Sequence, residues 1–137
     1  MKIILLIMIG LSLLQADYIR DNTKEVVLDT TTNLMWQDDA DAKTITKNWL
    51  DAINYCETLT LGDFNDWRLP SFNELYLLAD RNVYNPAISP IFINVSSLYW
   101  SSTTYAPNTT TAWFVNFDGG HDSVNYKTNM YYFRCVR

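Results

Sequence analysis

Cysteine occurs twice in the chain, at positions 56 and 135, 79 residues apart, and a bond between them would fasten the end of the chain to its middle. Closing a loop of that length removes enough unfolded-state entropy to stabilise a fold by about 4–5 kcal/mol. A small domain's whole stability is about 5–15 kcal/mol. The bond forms if the chain matures in an oxidising compartment, and in a reducing one the two thiols stay free. One histidine and two distant cysteines give no zinc-ligand spacing, and without a Cys-x-x-Cys pair there is no redox motif. No metal and no cofactor is expected.

The first residues bear on the compartment. Met1-Lys2 is followed by an apolar run from Ile3 to Leu14, broken only by Gly10 and Ser12, and then by Gln15-Ala16. A basic tip, a short apolar stretch and a small residue make the pattern of a secretory signal. Cleavage after Ala16 is expected, with retention as an anchor the alternative because Leu14 stands where a small residue is preferred. The run is shorter than the roughly 20 residues of a spanning helix. The expectation is a secreted or periplasmic protein that does not span the membrane, with residues 1–16 as signal peptide, 17–24 as a polar segment, extended or mobile, and 25–137 as the domain.

Five Trp, nine Tyr and six Phe supply the bulk of one core. The whole chain carries a formal charge of −5, and loss of Lys2 with the leader makes it more acidic. That balance argues against nucleic acid, anionic lipid or sulfated polysaccharide held by general electrostatics.

Along the domain, Glu25–Leu28 and Leu34–Gln37 read as a hairpin around a turn of Asp, Thr and Asn. Asp38, Asp39 and Asp41 follow; lacking the EF-hand pattern, they read as a solvated acidic loop and not a calcium site. Trp49, Ala52, Ile53, Cys56 and Leu59 fall at helical spacing, which predicts a helix over 47–59 with Cys56 on its buried stripe. Ser71-Phe72-Asn73-Glu74 matches a capping box, so a second helix starts near Phe72 and finishes near Asp80. Pro86 and Pro90 make 81–97 a long connection. Strands are expected at Tyr99–Ser102, Thr111–Phe117, Ser123–Lys127 and Tyr131–Val136, with the paired glycines of Asp118-Gly119-Gly120-His121 accepting the positive φ of a tight turn. Helices early and strands late give an α+β class.

Several of these segments carry a resemblance: Asn33-Leu34-Met35-Trp36-Gln37, Asp66-Trp67-Arg68-Leu69-Pro70-Ser71 with Glu74-Leu75, Tyr99-Trp100-Ser101-Ser102-Thr103, Ala112-Trp113-Phe114-Val115-Asn116-Phe117 and Phe133-Arg134-Cys135-Val136-Arg137. Together they resemble the Lcl C-terminal domain family of bacterial exported proteins, which includes collagen-like adhesins and is related to formylglycine-generating enzymes and, more distantly, to C-type lectins. The resemblance implies a C-type-lectin-like fold, two helices flanking a twisted antiparallel sheet, with one disulfide from the first helix to the last strand. Cys56 and Cys135 occupy those places.

Trp36, Trp49, Trp67, Trp100 and Trp113 lie in or beside regular elements and are expected in the core. Arg68 is expected to hold Asp66, Glu74 or loop carbonyls. Formylglycine-type oxidation needs a reactive cysteine pair, which this chain lacks, and His121, the only imidazole, has no Gly-x-Ser-x-Gly partner element. No catalytic residue is assigned, and the chain is expected not to be an enzyme. The expected function is a binding module for a carbohydrate or a protein surface, with a structural or assembly component of the cell envelope as the alternative and an oxidase-related enzyme as the lesser one. Loop residues with aromatic, amide and hydroxyl groups are the ligand-binding candidates: Tyr105 and Asn108, beside Thr109 and Thr110, and then Asp118, His121 and Asp122.

Overall fold

Residues 17–137 are described by a computed structural model of the chain; the expected leader, residues 1–16, lies outside them. A three-stranded antiparallel sheet comes first: β1 (Tyr18–Asp21), β2 (Val26–Asp29) and β3 (Leu34–Gln37), in the order β1-β2-β3. The expected hairpin is β2–β3, with Val27 opposite Trp36. Its turn is set by Asp29, whose Oδ1 accepts from the amides of Thr31 and Thr32, and by Asn33, whose φ of 61° is one that Asn tolerates. In the polar segment 17–24, expected to be extended or mobile, Tyr18–Asp21 pair as β1 along β2, with Tyr18 opposite Asp29 and Arg20 opposite Val27, and residues 22–24 turn back. Tyr18 and Arg20 are half-buried while Ile19 and Asp21 are exposed. That alternation does not show in residue polarity, because one of the inward residues is an arginine.

Beyond β3 the chain makes one helical turn, α1 (Asp41–Thr44), a two-residue strand, β4 (Thr46–Lys47), and the first long helix, α2 (Trp49–Thr58). The helix starts two residues later than its apolar spacing suggested, because Thr46 and Lys47 pair in a sheet and Asn48 caps it, accepting from the Asp51 amide at 2.9 Å. The second helix, α3 (Phe72–Leu78), has the full capping box: the Glu74 amide donates to Ser71 Oγ and the Ser71 amide to Glu74 Oε1. After an irregular connection come β5 (Leu98–Thr104), β6 (Thr111–Asn116), β7 (His121–Tyr126) and β8 (Tyr131–Tyr132). They join β4 in a five-stranded sheet of order β4-β8-β5-β6-β7, antiparallel except where β5 meets β8.

The expected last strand, Tyr131–Val136, is therefore cut to two residues. Phe133, Arg134, Cys135 and Val136 are all buried, but the chain leaves the strand after Tyr132. Val136 instead bridges to both Trp36 and Arg68, lacing the tail between the two sheets.

Adjacent residues of β5 and β6 face opposite ways and build two cores. On one side of the five-stranded sheet, Tyr99, Val115 and Phe117 pack with Leu75 and Leu78 of α3 and with Val27 and Trp36. On the other, Trp100, Ala112 and Phe114 pack with Ala52 and Cys56 of α2, Trp67, Phe133 and Cys135. The Cys56–Cys135 disulfide lies in this second core, with Cα atoms 5.5 Å apart, and uses both thiols. The fold is α+β with one disulfide, and no helix among the described residues is long and apolar enough to cross a membrane. Trp36, Trp67 and Trp100 are core residues. Trp49 and Trp113 are only partly buried, Trp49 packing against the edge of the second core.

The acidic loop departs furthest from expectation. Asp38 is fully buried, not solvated. Its carboxylate pairs with Arg134 and Arg20 and accepts from the Ile93 amide. Arg134, itself 1 % exposed, also donates to the carbonyls of Gln37 and Ile93 and to Asn94 Oδ1 at 2.8 Å, and lies over the Phe92 ring. Burial lowers its pKa to about 10, so it remains charged at neutral pH. One arginine from the tail thus fixes the end of β3 and the 92–94 connection together. Asp41 is taken up separately, as acceptor of the Tyr55 hydroxyl at 2.5 Å, and Asp39 accepts from the Gln37 side chain.

Candidate functional site

The capping box that starts α3 also fixes the first residue of a surface. Glu74 is gripped by both terminal nitrogens of Arg68, at 2.7 and 2.8 Å, so Arg68 has the structural role expected, with Glu74 as its partner; Asp66 goes to Arg137. Arg68 holds the Glu74 carboxyl down to a pKa of about 2. The Phe72 amide donates to Thr103 Oγ1 on β5, and Ser102 donates to the Pro70 carbonyl. With its helix start held from three sides, the Phe72 ring lies 4.9 Å from Trp113 on β6.

The rings continue in both directions. Trp113 meets Tyr105 edge-on at 5.5 Å, and Phe72 meets Tyr76, one helical turn on, at 5.5 Å. The guanidinium of Arg81 stacks 3.7 Å above Tyr76, and the same group donates to the Tyr76 carbonyl and to the Gly120 carbonyl in the β6–β7 turn. Tyr105, Trp113, Phe72 and Tyr76 are all partly exposed, so the molecule carries a continuous aromatic strip from the β5–β6 loop to the β6–β7 turn, about 17 Å for the strand beneath it. Gly120 is required at the far end: its φ is 84°, and a Cβ there would meet Arg81 Cγ at 2.9 Å. Only this glycine of the expected pair uses its conformational freedom.

The sequence-derived candidates are distributed over this strip and not gathered in one place. Tyr105 is part of it, with Asn108 exposed in the adjoining loop. Asp118, His121 and Asp122 lie at the opposite end of β6, where His121 pairs with Asn116. The two groups are neighbours in sequence but are separated by the length of a strand. His121 and Asp122 also project to opposite faces, since successive residues of β7 alternate. Asp122 shares the strip's face with Val115, its cross-strand partner, as Val124 does with Trp113; His121 faces the α2 side with Asn116. Sequence reading missed Phe72, Tyr76 and Trp113 as surface groups. The four-residue spacing of Phe72 and Tyr76 was visible, but nothing local shows that β6 presents Trp113 beside them.

Trp49 forms a separate feature beside Lys127, whose Nζ lies 4.0 Å from the ring centroid and donates to Thr104 Oγ1. Its indole N–H donates to the Ser101 carbonyl at 2.9 Å, so the ring is an anchor for the start of α2.

No curated protein matches this chain. The family model of the Lcl C-terminal domain matches residues 25–137, from the turn before β2 to the last residue, and on that match the chain belongs to the Lcl C-terminal domain family.

Proposed function

We propose that this protein is an exported, non-catalytic binding module that recognises a carbohydrate or protein surface through the aromatic strip Tyr105-Trp113-Phe72-Tyr76. The observation that carries this reading is a row of four partly exposed rings held in place by a capping box, two sheet strands and an arginine stack. Such rings offer apolar faces to sugar C–H groups or to partner side chains at little cost in conformational entropy. Asn108 and Asp122, at the strip's edges, supply polar contacts. The use of both cysteines in a buried bond supports a non-catalytic role, because formylglycine-type chemistry requires reactive thiols. The acidic charge favours uncharged or cationic surfaces over sulfated ones.

An array of neutral and sulfated glycans, run with and without calcium, tests the proposal. Binding should appear on neutral glycans, fall by about tenfold or more in Trp113→Ala, and stay within about twofold in His121→Ala, which faces away. Binding indifferent to Trp113→Ala, in a variant whose circular dichroism matches the parent, would overturn the assignment of the strip. The second reading, an assembly component of the envelope, is favoured by β7: it ends the five-stranded sheet, and its outer edge has no partner strand among the described residues. An added strand from a partner could pair there.

A further inference from the structure

The long edge of the five-stranded sheet is β7, and strand register shows which of its backbone groups are free. The Lys127 amide donates to the Thr110 carbonyl at 2.9 Å. Hydrogen-bonded and non-hydrogen-bonded pairs alternate along an antiparallel ladder, so His121, Ser123 and Asn125 turn their N–H and C=O groups toward β6, while Asp122, Val124 and Tyr126 turn theirs outward. The Tyr126 amide is met by its neighbour, 2.8 Å from Asn125 Oδ1. The amides of Asp122 and Val124 have no acceptor among the described residues.

Natural sheet edges are kept short, or are broken by a bulge, a proline or a lysine. The other edge of this sheet, β4, has two residues. By contrast, β7 runs for six residues in unbroken register with β6, and His121–Tyr126 contains no proline, glycine or lysine. It also displays Tyr126, 58 % exposed, on the same face as Asp122 and Val124. Free amides at alternate residues are the complement of another extended strand.

We propose that β7 pairs with β7 of a second copy of this chain, antiparallel about a two-fold axis through Val124, joining the two five-stranded sheets into one. Each Val124 amide donates to the Val124 carbonyl of the second copy, and each Asp122 amide to its Tyr126 carbonyl, while the Tyr126 amide stays with Asn125. Charge selects this register. Pairing about Ser123 would use the same two amides but set the two Asp122 carboxylates on a diagonal, about 7–8 Å apart between backbones. About Val124, each Asp122 faces a neutral Tyr126, and the two carboxylates lie about 14 Å apart along the strands. On the other face Ser123 meets Asn125, and His121 meets Lys127, whose ammonium is drawn away onto the Trp49 ring and Thr104 Oγ1. The edge is therefore its own complement, with no free amide left and no carboxylates facing each other, in the two-fold contact commonest among homo-oligomers. Because Val124 lies opposite Trp113, the two Trp113 residues fall in one row across the joined sheet, about 14 Å apart. On the reading of the aromatic strip as the binding surface, the dimer is bivalent.

Sedimentation of the purified protein from about 1 µM to 1 mM, without glycan, tests the pairing independently of what the strip binds. The mass should rise from monomer to dimer and no further. Hydrogen exchange at the Asp122 and Val124 amides should slow by about tenfold or more over that range, while Ser123 and Asn125, already bonded to β6, should not change. Val124→Lys and Val124→Glu, which each set like charges together on the axis, should each weaken the dimer by about tenfold or more, and mixing the two variants should restore it. A protein that stays monomeric throughout leaves the edge to a different partner's strand and overturns the proposal. So does a trimer, a dimer that Val124→Lys weakens by less than about twofold, or a mixture of the two variants that fails to pair. Should either variant fail to fold, exchange at the Asp122 and Val124 amides of the parent decides the matter.

Discussion

Replacing Asp38 with Asn changes one oxygen for a nitrogen and removes the carboxylate that pairs with two guanidinium groups. Arg134 is 1 % exposed and Asp38 fully buried, so the remaining positive charge cannot turn to water, whereas Arg20 keeps about a fifth of its side chain exposed and can. Breaking a buried ion pair by removing one partner costs about 3–5 kcal/mol. The unfolding entropy of roughly 2.1 cal/mol/K per residue gives about 0.25 kcal/mol/K for residues 17–137, so Asp38→Asn should lower the melting temperature by about 12–20 °C. The double variant Asp38→Leu/Arg134→Met leaves no stranded charge in the core. It should recover at least half of the loss, the remainder reflecting the Gln37 and Ile93 carbonyls that lose their donor. Thermal unfolding followed by circular dichroism, with the disulfide intact, measures both. A single variant that melts within about 3 °C of the parent, or a double variant that melts as low as the single, would refute the reasoning that charge compensation, and not packing, holds this junction.

Opening the disulfide should act through the unfolded chain. Cys56→Ala/Cys135→Ala should lose about 4–5 kcal/mol as an upper figure, read as a fall in the urea midpoint with the folded spectrum retained at low denaturant; an unchanged midpoint would contradict it. Glu74 sets a pH dependence. Its folded pKa, depressed by Arg68 to about 2 from an ordinary 4.5, means the stabilisation is complete above about pH 4.5 and is lost as pH falls toward 2. Glu74→Gln should therefore lower the urea midpoint at pH 7 and converge on the parent near pH 2; a difference that is constant with pH would rule this linkage out.

The sequence by itself determined what depends on neighbours in the chain. The α2 stripe that carries Cys56, the Ser71–Glu74 capping box, the β2–β3 hairpin and the irregular 81–97 connection all follow from spacing, caps and proline, which act within a turn or two. The ends of these elements shifted where a distant strand intervened, as when Lys47, expected to open the helix, joined Thr46 in pairing with Tyr131 and Tyr132. Part of the candidate site was legible too: Tyr105 and Asn108 lie at one end of the strip, Asp118 and Asp122 at the other. What joins them was not. Trp113 looks like a core residue from its strand context, and only the position of α3 over β6 leaves its ring partly exposed beside Phe72. Asp38 reads as solvated among Asp39 and Asp41, and only Arg134, 96 residues away, and Arg20 make it a buried ion. Local patterning records which elements form; burial, charge pairing and surface composition are properties of which elements meet, and that is decided by packing between residues far apart in the chain.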